Sequence, residues 1–242
     1  MILSRLHPVE EAVASRPREI EWVTVDANRR DPRIRRLLEL CRRHRVPVRR
    51  TDRAGLDRIA GGPGHQGVAA RISAGAYREE SDALGGSAGS RFLLVLDGVQ
   101  DPQNLGAVLR VAEAAGAGVV VPERGSAPLS EAVSRSSAGA VERVPVFRAG
   151  NLRRFLDRLK DQGFRVVGLD PAGSSLYAED LTGDLALVLG SESRGIRRLV
   201  REACDIVVSL PMRGRVASLN VSTAAAAAAF EALRQREART TP

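Results

Sequence analysis

The sequence predicts an α/β protein with a small N-terminal α/β domain and a larger C-terminal domain built on a mainly parallel sheet. Short runs of β-branched residues and leucine alternate with segments of helical period along the chain. Residues 74–90 form a small, polar, glycine-rich segment without apolar period, and it separates two patterned regions. We therefore predict a first domain over 1–73, a linker over 74–90 and a second domain over 91–242.

The first region alternates between strand-like and helix-like segments. Three apolar runs are predicted as strands, at 21–26, 46–51 and 67–72. Three segments of helical period are predicted as helices, at 7–15, 31–44 and 53–61. In the middle helix the apolar side chains share one face, whereas the arginines fall largely on the other side. This helix therefore presents a basic surface.

The second region contains near-continuous apolar runs, which are typical of parallel strands buried on both faces. They are predicted as strands at 92–99, 117–122, 165–170, 185–190 and 205–211. Helical segments lie between them at 104–116, 151–163 and 194–204, and an alanine-rich helix closes the chain. This alternation predicts a mainly parallel sheet with helices on both sides.

The positive charge is concentrated at the front of the chain. The net charge is +8, and residues 1–73 hold 16 arginines against 9 acidic residues. Guanidinium groups are forked donors that suit phosphate oxygens, so the arginine clusters in this region are candidates for binding nucleic acid. A solvated helix face explains the same pattern equally well. The two clusters are Arg33, Arg35, Arg36 and Arg42, Arg43, Arg45, Arg49, Arg50. Among them, Arg35, Arg36, Arg42 and Arg43 are the candidate nucleic-acid contacts.

Other features exclude several classes of protein. No apolar run reaches the ~18 residues of a membrane helix, and the N-terminus lacks the build of a secretory signal, so we expect a cytoplasmic protein. Cys41 and Cys204 lie far apart without a metal-ligand pattern, so we expect no metal and interpret both as packing residues. The sequence argues against a nicotinamide dehydrogenase, because no predicted strand is followed by a G-x-G-x-x-G motif with an acidic residue downstream.

Three predicted strand ends carry residues that point to a site, because ligands of open α/β sheets gather there. The first is followed by Asn104, either a site residue or a helix N-cap, and by Arg110, either a site residue or a surface arginine. The second runs into Gly-x-Glu-x-x-Gly at 190–195, whose glycines permit a ligand or a tight turn. The third leads into the loop 210–220 before the final helix.

Three segments, in this order and spacing, resemble the motifs of the SpoU family of the SPOUT superfamily, ribose 2′-O-methyltransferases of the TrmH and RlmB type. They are LDGVQDPQNLGAVLRVAEAAG (96–116), LALVLGSESRGI (185–196) and LPMRGRVASLNVSTAAAAAAFEAL (210–233). HPVEEA (7–12) and HQGVAAR (65–71) likewise resemble the two ends of the ribosomal-protein-like RNA-binding domain that precedes the catalytic domain in the RlmB branch.

The resemblance implies a SPOUT fold with a deep trefoil knot, which general topological rules disfavour. It also implies an S-adenosylmethionine-dependent enzyme that methylates RNA, with a guanosine of 23S ribosomal RNA as the expected target. A tRNA ribose methyltransferase, an antibiotic-resistance rRNA methylase of the same family and a non-catalytic RNA-binding protein remain open. The family match further implies a homodimer formed through the final helix, in which the second subunit contributes to the active site; an ordinary alanine-rich terminal helix is the alternative.

The resemblance also assigns roles to individual residues. S-adenosylmethionine is expected to contact Gly190, Leu210 and Leu219, with Met212, Gly214 and Val221 nearby; core packing is the alternative for the two leucines. The expected catalytic group is Arg110, surrounded by Asn104, Glu192, Ser218 and Asn220. Glu192 is alternatively a cap of the turn after its strand, and Ser218 alternatively the N-cap of the final helix. Arg213 and Arg215, beside the cofactor loop, are expected to touch RNA phosphate.

An arginine normally cannot act as a base, because its pKa lies above about 12. We therefore expect Arg110 to bind the ribose hydroxyl oxygen and an adjacent phosphate, and to stabilise the developing alkoxide electrostatically. Proton removal by Arg110 is the second possibility. Asn104 and Asn220 can each donate and accept hydrogen bonds, so they are suited to orienting the ribose and the loops.

Overall fold

A computed structural model of the chain describes residues 2–29, 31–73, 77–85, 91–214 and 218–240. The chain divides into two compact units. The first comprises Met1–Ala76 and Pro128–Glu131, and the second Tyr77–Ala127 and Ala132–Pro242. The predicted RNA contact Arg215 and parts of the predicted linker, 74–76 and 86–90, lie outside the described residues.

The first unit is a small α/β unit, as predicted. Its elements are β1 (Ile2–Ser4), α1 (Leu6–Ser15), β2 (Ile20–Asp26), α2 (Pro32–Arg43), β3 (Val48–Thr51), α3 (Arg53–Ala60) and β4 (Val68–Ile72). The strands form a sheet in the order β1-β4-β2-β3, in which only the pair β2 and β3, among the described strands, is parallel.

The middle helix of this unit shows why its sequence folds as it does. The Asp31 side chain caps α2 by accepting from the backbone N–H groups of Arg33 and Ile34 over 3.1 and 3.2 Å. Pro32 takes the first helical position, where no N–H is needed. Ile34, Leu37 and Cys41 are buried in the core of the unit. The arginines are thereby left on the exposed face.

The second unit contains a longer alternation of strands and helices. Its strands are β5 (Tyr77–Glu79), β6 (Phe92–Asp97), β7 (Gly118–Pro122), β8 (Val146–Ala149), β9 (Arg165–Ser175), β10 (Leu185–Gly190) and β11 (Ile206–Ser209). Its helices are α4 (Glu80–Leu84), α5 (Pro102–Ala114), α6 (Glu131–Ser136), α7 (Leu152–Asp161), α8 (Arg198–Arg201) and α9 (Val221–Thr240).

In the described residues these strands form a seven-stranded sheet in the order β11-β9-β10-β6-β7-β8-β5, and each neighbouring pair is parallel. Every residue of β6 and β7 is buried, as a strand covered on both faces requires. The predicted α/β class with a mainly parallel sheet is confirmed. The trefoil knot stays a prediction, since strand order and pairing do not describe how the chain threads.

Several segments differ from the sequence-based expectation, which does not include the short elements β1 and α6. The interval 74–90, predicted as a linker, contains β5 and α4, and β5 pairs with β8 at the edge of the larger sheet. The strand β8 was not predicted. The helix predicted over 194–204 is reduced to α8, because the residues before it form a turn in which the Gly195 N–H donates to the Ser191 carbonyl over 2.8 Å. In the part of the chain that is described, no helix is long and apolar enough to cross a membrane.

Candidate active site

The site lies at the carboxyl ends of two neighbouring strands of the larger sheet. β6 and β10 are paired in parallel, and Gly190 at the end of β10 lies opposite Asp97 at the end of β6. The loops that follow the two strands therefore begin side by side. This edge of an open parallel sheet is where ligands bind in α/β folds.

Three of the predicted site residues form one hydrogen-bonded network. Asn104 Nδ2 donates to Glu192 Oε1 over 3.1 Å. Asn220 Nδ2 donates to Asn104 Oδ1 over 2.9 Å and also donates to Glu192 Oε1. Asn104 lies on α5, Glu192 in the loop after β10, and Asn220 immediately before α9. The network thus joins the three sequence segments that carry the family resemblance.

Helix capping does not explain Asn104. The helix α5 begins at Pro102, two residues earlier than predicted, and its N-cap is Asp101. The Asp101 side chain accepts from the Gln103 N–H over 3.0 Å. Asn104 therefore lies inside the first turn, and its side chain is available for the network.

The N-cap of the final helix is Asn220, so the alternative assigned to Ser218 is wrong. Asn220 Oδ1 accepts from the Ser222 backbone N–H over 2.9 Å and from the Ser222 hydroxyl over 2.6 Å. Its backbone carbonyl accepts from the Ala224 N–H over 2.9 Å. Asn220 consequently caps α9 and belongs to the network at the same time.

Glu192 does not cap the turn after β10. That turn is closed by the backbone bond between Gly195 and Ser191. The Glu192 carboxylate instead accepts from the amide groups of Asn104 and Asn220. Glu192 therefore links its own loop to the N-terminal ends of two helices, α5 and α9.

An apolar cleft of about 370 Å³ lies on one side of Glu192. Of the residues predicted to contact the cofactor, five line it, namely Gly190, Leu210, Met212, Leu219 and Val221. Ser218 and Leu169 also lie in its wall. Gly214 is not among the lining residues; it is exposed, and no described residue other than its chain neighbour has an atom within 4 Å of the position a Cβ would take.

The composition of this cleft suits a nucleoside cofactor. Leu219 and Met212 are 36% and 37% exposed, so core packing does not explain Leu219. A Cβ on Gly190 would lie 2.0 Å from the Gly195 carbonyl carbon, which means that the backbone loop passes directly over this glycine. An apolar slot edged by loop backbone is what an adenine ring requires. The residues present therefore fit S-adenosylmethionine.

A polar cleft of about 430 Å³ lies on the other side of Glu192. The two clefts share four wall residues: Ser191, Glu192, Gly195 and Val221. Asn104 opens into the polar cleft, and so do the arginines Arg124, Arg194 and Arg197. Asp97 and Asp101 lie in the same wall, so the cleft is polar and carries both signs of charge. The site thus combines an apolar cleft and a polar, arginine-lined cleft that meet at the hydrogen-bonded network.

Asp97 and Arg197 belong to the site but were not predicted. The Asp97 side chain is completely buried, and it accepts from the Arg197 backbone N–H over 2.8 Å and from its Nε over 2.6 Å. This contact fixes the end of the loop that carries Glu192. A charged residue that ends a continuous apolar strand was the available signal for Asp97, whereas no local signal marked Arg197 as its partner.

Arg110, the predicted catalytic group, is not brought to the network within the described part of a single chain. It lies on α5 six residues after Asn104, which is about 9 Å along the helix axis and on a different face. Its side chain is exposed, lines neither cleft, and makes no hydrogen bond or ion pair with another described residue. A single chain therefore leaves this guanidinium free.

The remaining predicted RNA contacts lie on the surface. Arg35, Arg36, Arg42 and Arg43 are all exposed on α2, and their side chains have no hydrogen-bond or ion-pair partner among the residues that the structure describes. Arg213 is exposed directly after Met212. These positions agree both with a phosphate-binding surface and with a solvated helix face.

The thiols of both cysteines are unreactive, as expected of residues that serve in packing. Burial raises the pKa of the Cys41 thiol to about 11 and that of the Cys204 thiol to about 11. Both thiols are therefore protonated at neutral pH and are poor nucleophiles. Within the described ranges, no group of three or more His, Cys, Asp or Glu residues is arranged to hold a metal ion.

Two family profiles match the sequence. Residues 91–230 match the SpoU rRNA Methylase family, and residues 6–78 match the family described as RNA 2′-O ribose methyltransferase substrate binding. Together they cover both regions predicted from the sequence. The HPVEEA and HQGVAAR segments fall inside the second profile.

Similar proteins were found among curated sequences and solved structures. The 23S rRNA (guanosine-2′-O-)-methyltransferase RlmB of Pseudomonas syringae pv. tomato is 43% identical over 242 residues, covering 98% of this chain and 96% of that protein. The RlmB of Xylella fastidiosa strain 9a5c is 47% identical over 219 residues, covering 88% of each chain. The SpoU methyltransferase AviRb from Streptomyces viridochromogenes, crystallised with AdoMet, is 25% identical with a TM-score of 0.62, covering 98% of this chain and 91% of that chain.

Proposed function

The chain belongs to the SpoU rRNA methylase family, and we propose that it transfers a methyl group from S-adenosylmethionine to the ribose 2′-hydroxyl of a guanosine in 23S ribosomal RNA. The observation that carries the proposal is the meeting of two clefts at Glu192, one apolar and one polar with three arginines in its wall. The apolar cleft accepts the cofactor and the polar cleft accepts RNA. The relatives named for guanosine methylation of 23S rRNA match this chain over nearly its whole length.

When bound in the apolar cleft, S-adenosylmethionine supplies an electrophilic methyl group on sulfur. The protein then has to bring one ribose hydroxyl to that methyl group in the geometry of attack. Asn104 and Asn220 are fixed by Glu192 and by each other, so their positions are set before the substrate arrives. We assign this network to orienting the ribose and the two loops. Ser218 lies in the wall of the cofactor cleft, and we assign it to the same positioning role.

We assign the catalytic role to Arg110, which binds the ribose oxygen and an adjacent phosphate and stabilises the negative charge that develops on the oxygen. Because Arg110 does not reach the network of its own chain, it acts in the site of a second copy. The helix α5 packs against α9. A dimer formed through α9 therefore brings Arg110 close to the partner chain.

The final helix supports such a dimer on one face only. Four alanines of α9 are fully buried within the chain: Ala225, Ala228, Ala229 and Ala232. They pack the helix onto its own unit, as an ordinary terminal helix would. On the other side Phe230 is 48% exposed. Phe230 is therefore the side chain of this helix that we assign to contact with a second copy.

The front unit is assigned to binding ribosomal RNA, with the exposed arginines of α2 on phosphate oxygens. Because the proposed substrate is ribosomal RNA, we propose that the protein acts in the cytoplasm. A non-catalytic RNA-binding protein is the competing class. The apolar cleft opposes it, because RNA binding alone does not require an apolar cleft of about 370 Å³ beside the polar cleft.

Methyl transfer to purified RNA tests the proposal directly. The protein is incubated with labelled S-adenosylmethionine and a 23S rRNA transcript, and the RNA is digested to nucleosides. We expect label in 2′-O-methylguanosine and in no methylated base. Label in a base, or binding of RNA without binding of S-adenosylmethionine in a titration, would contradict the proposal. A tRNA transcript in parallel distinguishes the ribosomal target from the tRNA alternative.

A further inference from the structure

The polar cleft beside Glu192 does not end at the active site. A further cleft of about 380 Å³ lies beyond the ends of β7 and β8, and the two clefts share Arg124 and Arg197 in their walls. The further cleft is also lined by Asn151, Arg153, Arg198 and Leu199. The two clefts form one continuous groove along the carboxyl edge of the sheet, which we call the basic groove.

Arg124 supplies uncompensated positive charge at the junction of the two clefts. It follows the end of β7 by two residues, and its side chain is exposed. It makes no hydrogen bond or ion pair with any residue in the described part of the chain. Its charge is therefore available to a ligand of the groove.

Arg197 supplies oriented donors at the same junction. The Asp97 carboxylate holds its Nε over 2.6 Å, yet 58% of the Arg197 side chain is exposed. Its two terminal nitrogens make no hydrogen bond with a described residue. A guanidinium fixed on one edge by a buried carboxylate loses little conformational freedom when its other edge binds an oxyanion.

The far end of the groove is less charged and partly apolar. Arg198 Nη1 lies 2.6 Å from Glu202 Oε1, and Arg153 Nη1 lies 3.9 Å from Glu202 Oε2, so one carboxylate compensates part of both charges. Leu199 is 51% exposed beside them. Such a surface offers apolar contact to a base, while the junction offers donors to a phosphate.

We propose that the basic groove holds the sugar-phosphate backbone of the RNA strand next to the methylated nucleotide, with Arg124 and Arg197 donating to a phosphate at the junction. The proposal rests on the proposed function, because the groove begins at the network that orients the ribose. When the reacting nucleotide of the RNA lies at Glu192, the neighbouring nucleotides can follow the basic groove along the protein surface. The Arg124 contact fixes register and affinity and does not touch the reacting atoms.

The test compares Arg124→Ala with a variant that removes the same charge elsewhere. Arg143 precedes β8 and its Nη2 donates to Glu113 Oε2 over 3.0 Å near the end of α5, so it lies at the opposite edge of the sheet. An exposed ion pair of this kind contributes little to stability. Arg143→Ala is therefore the matched control. The dissociation constant and KM of a 23S rRNA transcript are measured for both variants over a range of salt concentrations.

For Arg124→Ala we expect the dissociation constant and KM for the transcript to rise about tenfold, with kcat unchanged. The plot of log affinity against log salt concentration has a negative slope, and its magnitude should decrease by about 0.7, because one phosphate contact on a single strand is lost. Arg143→Ala should match the wild type, and both variants should keep the wild-type affinity for S-adenosylmethionine.

Equal behaviour of Arg124→Ala and Arg143→Ala would overturn the assignment of the groove, and so would a loss confined to kcat. Either result leaves the proposed function standing, because the wild type still methylates the transcript. If the wild type transfers no methyl group to any RNA, the proposed function itself fails. The two failures are therefore distinguishable in one set of assays.

Discussion

Replacing Arg110 with alanine is expected to lower kcat for methyl transfer by about 100-fold or more. The guanidinium is assigned to the charge that develops on the ribose oxygen, and no other described arginine lies free on α5 to replace it. Its side chain is exposed and makes no hydrogen bond or ion pair with a described residue, so folding and the affinity for S-adenosylmethionine should be unchanged. Methyl transfer under saturating cofactor and RNA measures the effect.

The conservative variant Arg110→Lys separates charge from geometry. Lysine keeps the positive charge but cannot present two parallel donors to an oxygen and a phosphate at once. We expect its kcat to stay well below the wild-type value. Full turnover, with cofactor and RNA binding verified, would contradict the role assigned to Arg110.

Mixing two inactive variants tests whether Arg110 acts in the second copy. Arg110→Ala and Glu192→Ala are combined and allowed to exchange subunits. If Arg110 acts across the dimer, half of the mixed dimers' sites receive both wild-type residues, and about a quarter of wild-type turnover should return. If Arg110 serves its own chain, every site remains defective and no activity returns.

Replacing Gly190 with alanine is expected to lower the free energy of unfolding by about 3 kcal/mol and to weaken S-adenosylmethionine binding strongly. The added Cβ would lie 2.0 Å from the Gly195 carbonyl carbon and 2.2 Å from the Ile196 nitrogen. Both are backbone atoms, so the loop that carries Glu192 has to move. Urea unfolding and a cofactor titration measure the two effects.

Gly85→Ala is the matched control for this substitution. Gly85 has a φ of −93°, and a Cβ there would lie 3.6 Å from the Ser81 carbonyl oxygen, an ordinary contact. We expect its stability and cofactor affinity to match the wild type. The account of the cofactor cleft fails if Gly190→Ala binds S-adenosylmethionine as tightly as Gly85→Ala does.

The longer strands of the sheet were predictable because their apolar runs are continuous. All of β6 and all but the last residue of β10 are buried, and both were recognised from leucine and valine alone. β5 and β8, three and four residues long, are not predicted because neither stands out as a continuous apolar run: Arg78 and Glu79 make up two thirds of β5, and Arg148 interrupts β8. Their pairing is decided by neighbours distant in sequence. The local pattern of apolar and polar residues does not indicate such pairing.

The parts of the site that were missed depend on contacts between distant residues. Arg197 was placed in a predicted helix, but Asp97, 100 residues earlier, binds its backbone N–H and the helix begins later. The sequence allows Asn104 as the helix N-cap, but in the structure Asp101 is the N-cap and Pro102 is the first helical residue. The asparagine network itself was anticipated only as a set of neighbours. Its hydrogen bonds follow from the loops that the fold brings together.

The central claim is most directly tested by mapping ribose methylation in the RNA of cells with and without this protein. The account predicts that a single 2′-O-methyl group is lost, on a guanosine of the large-subunit ribosomal RNA, and that it returns when the wild-type protein is restored. Loss confined to tRNA, or an unchanged ribosomal pattern, would contradict it.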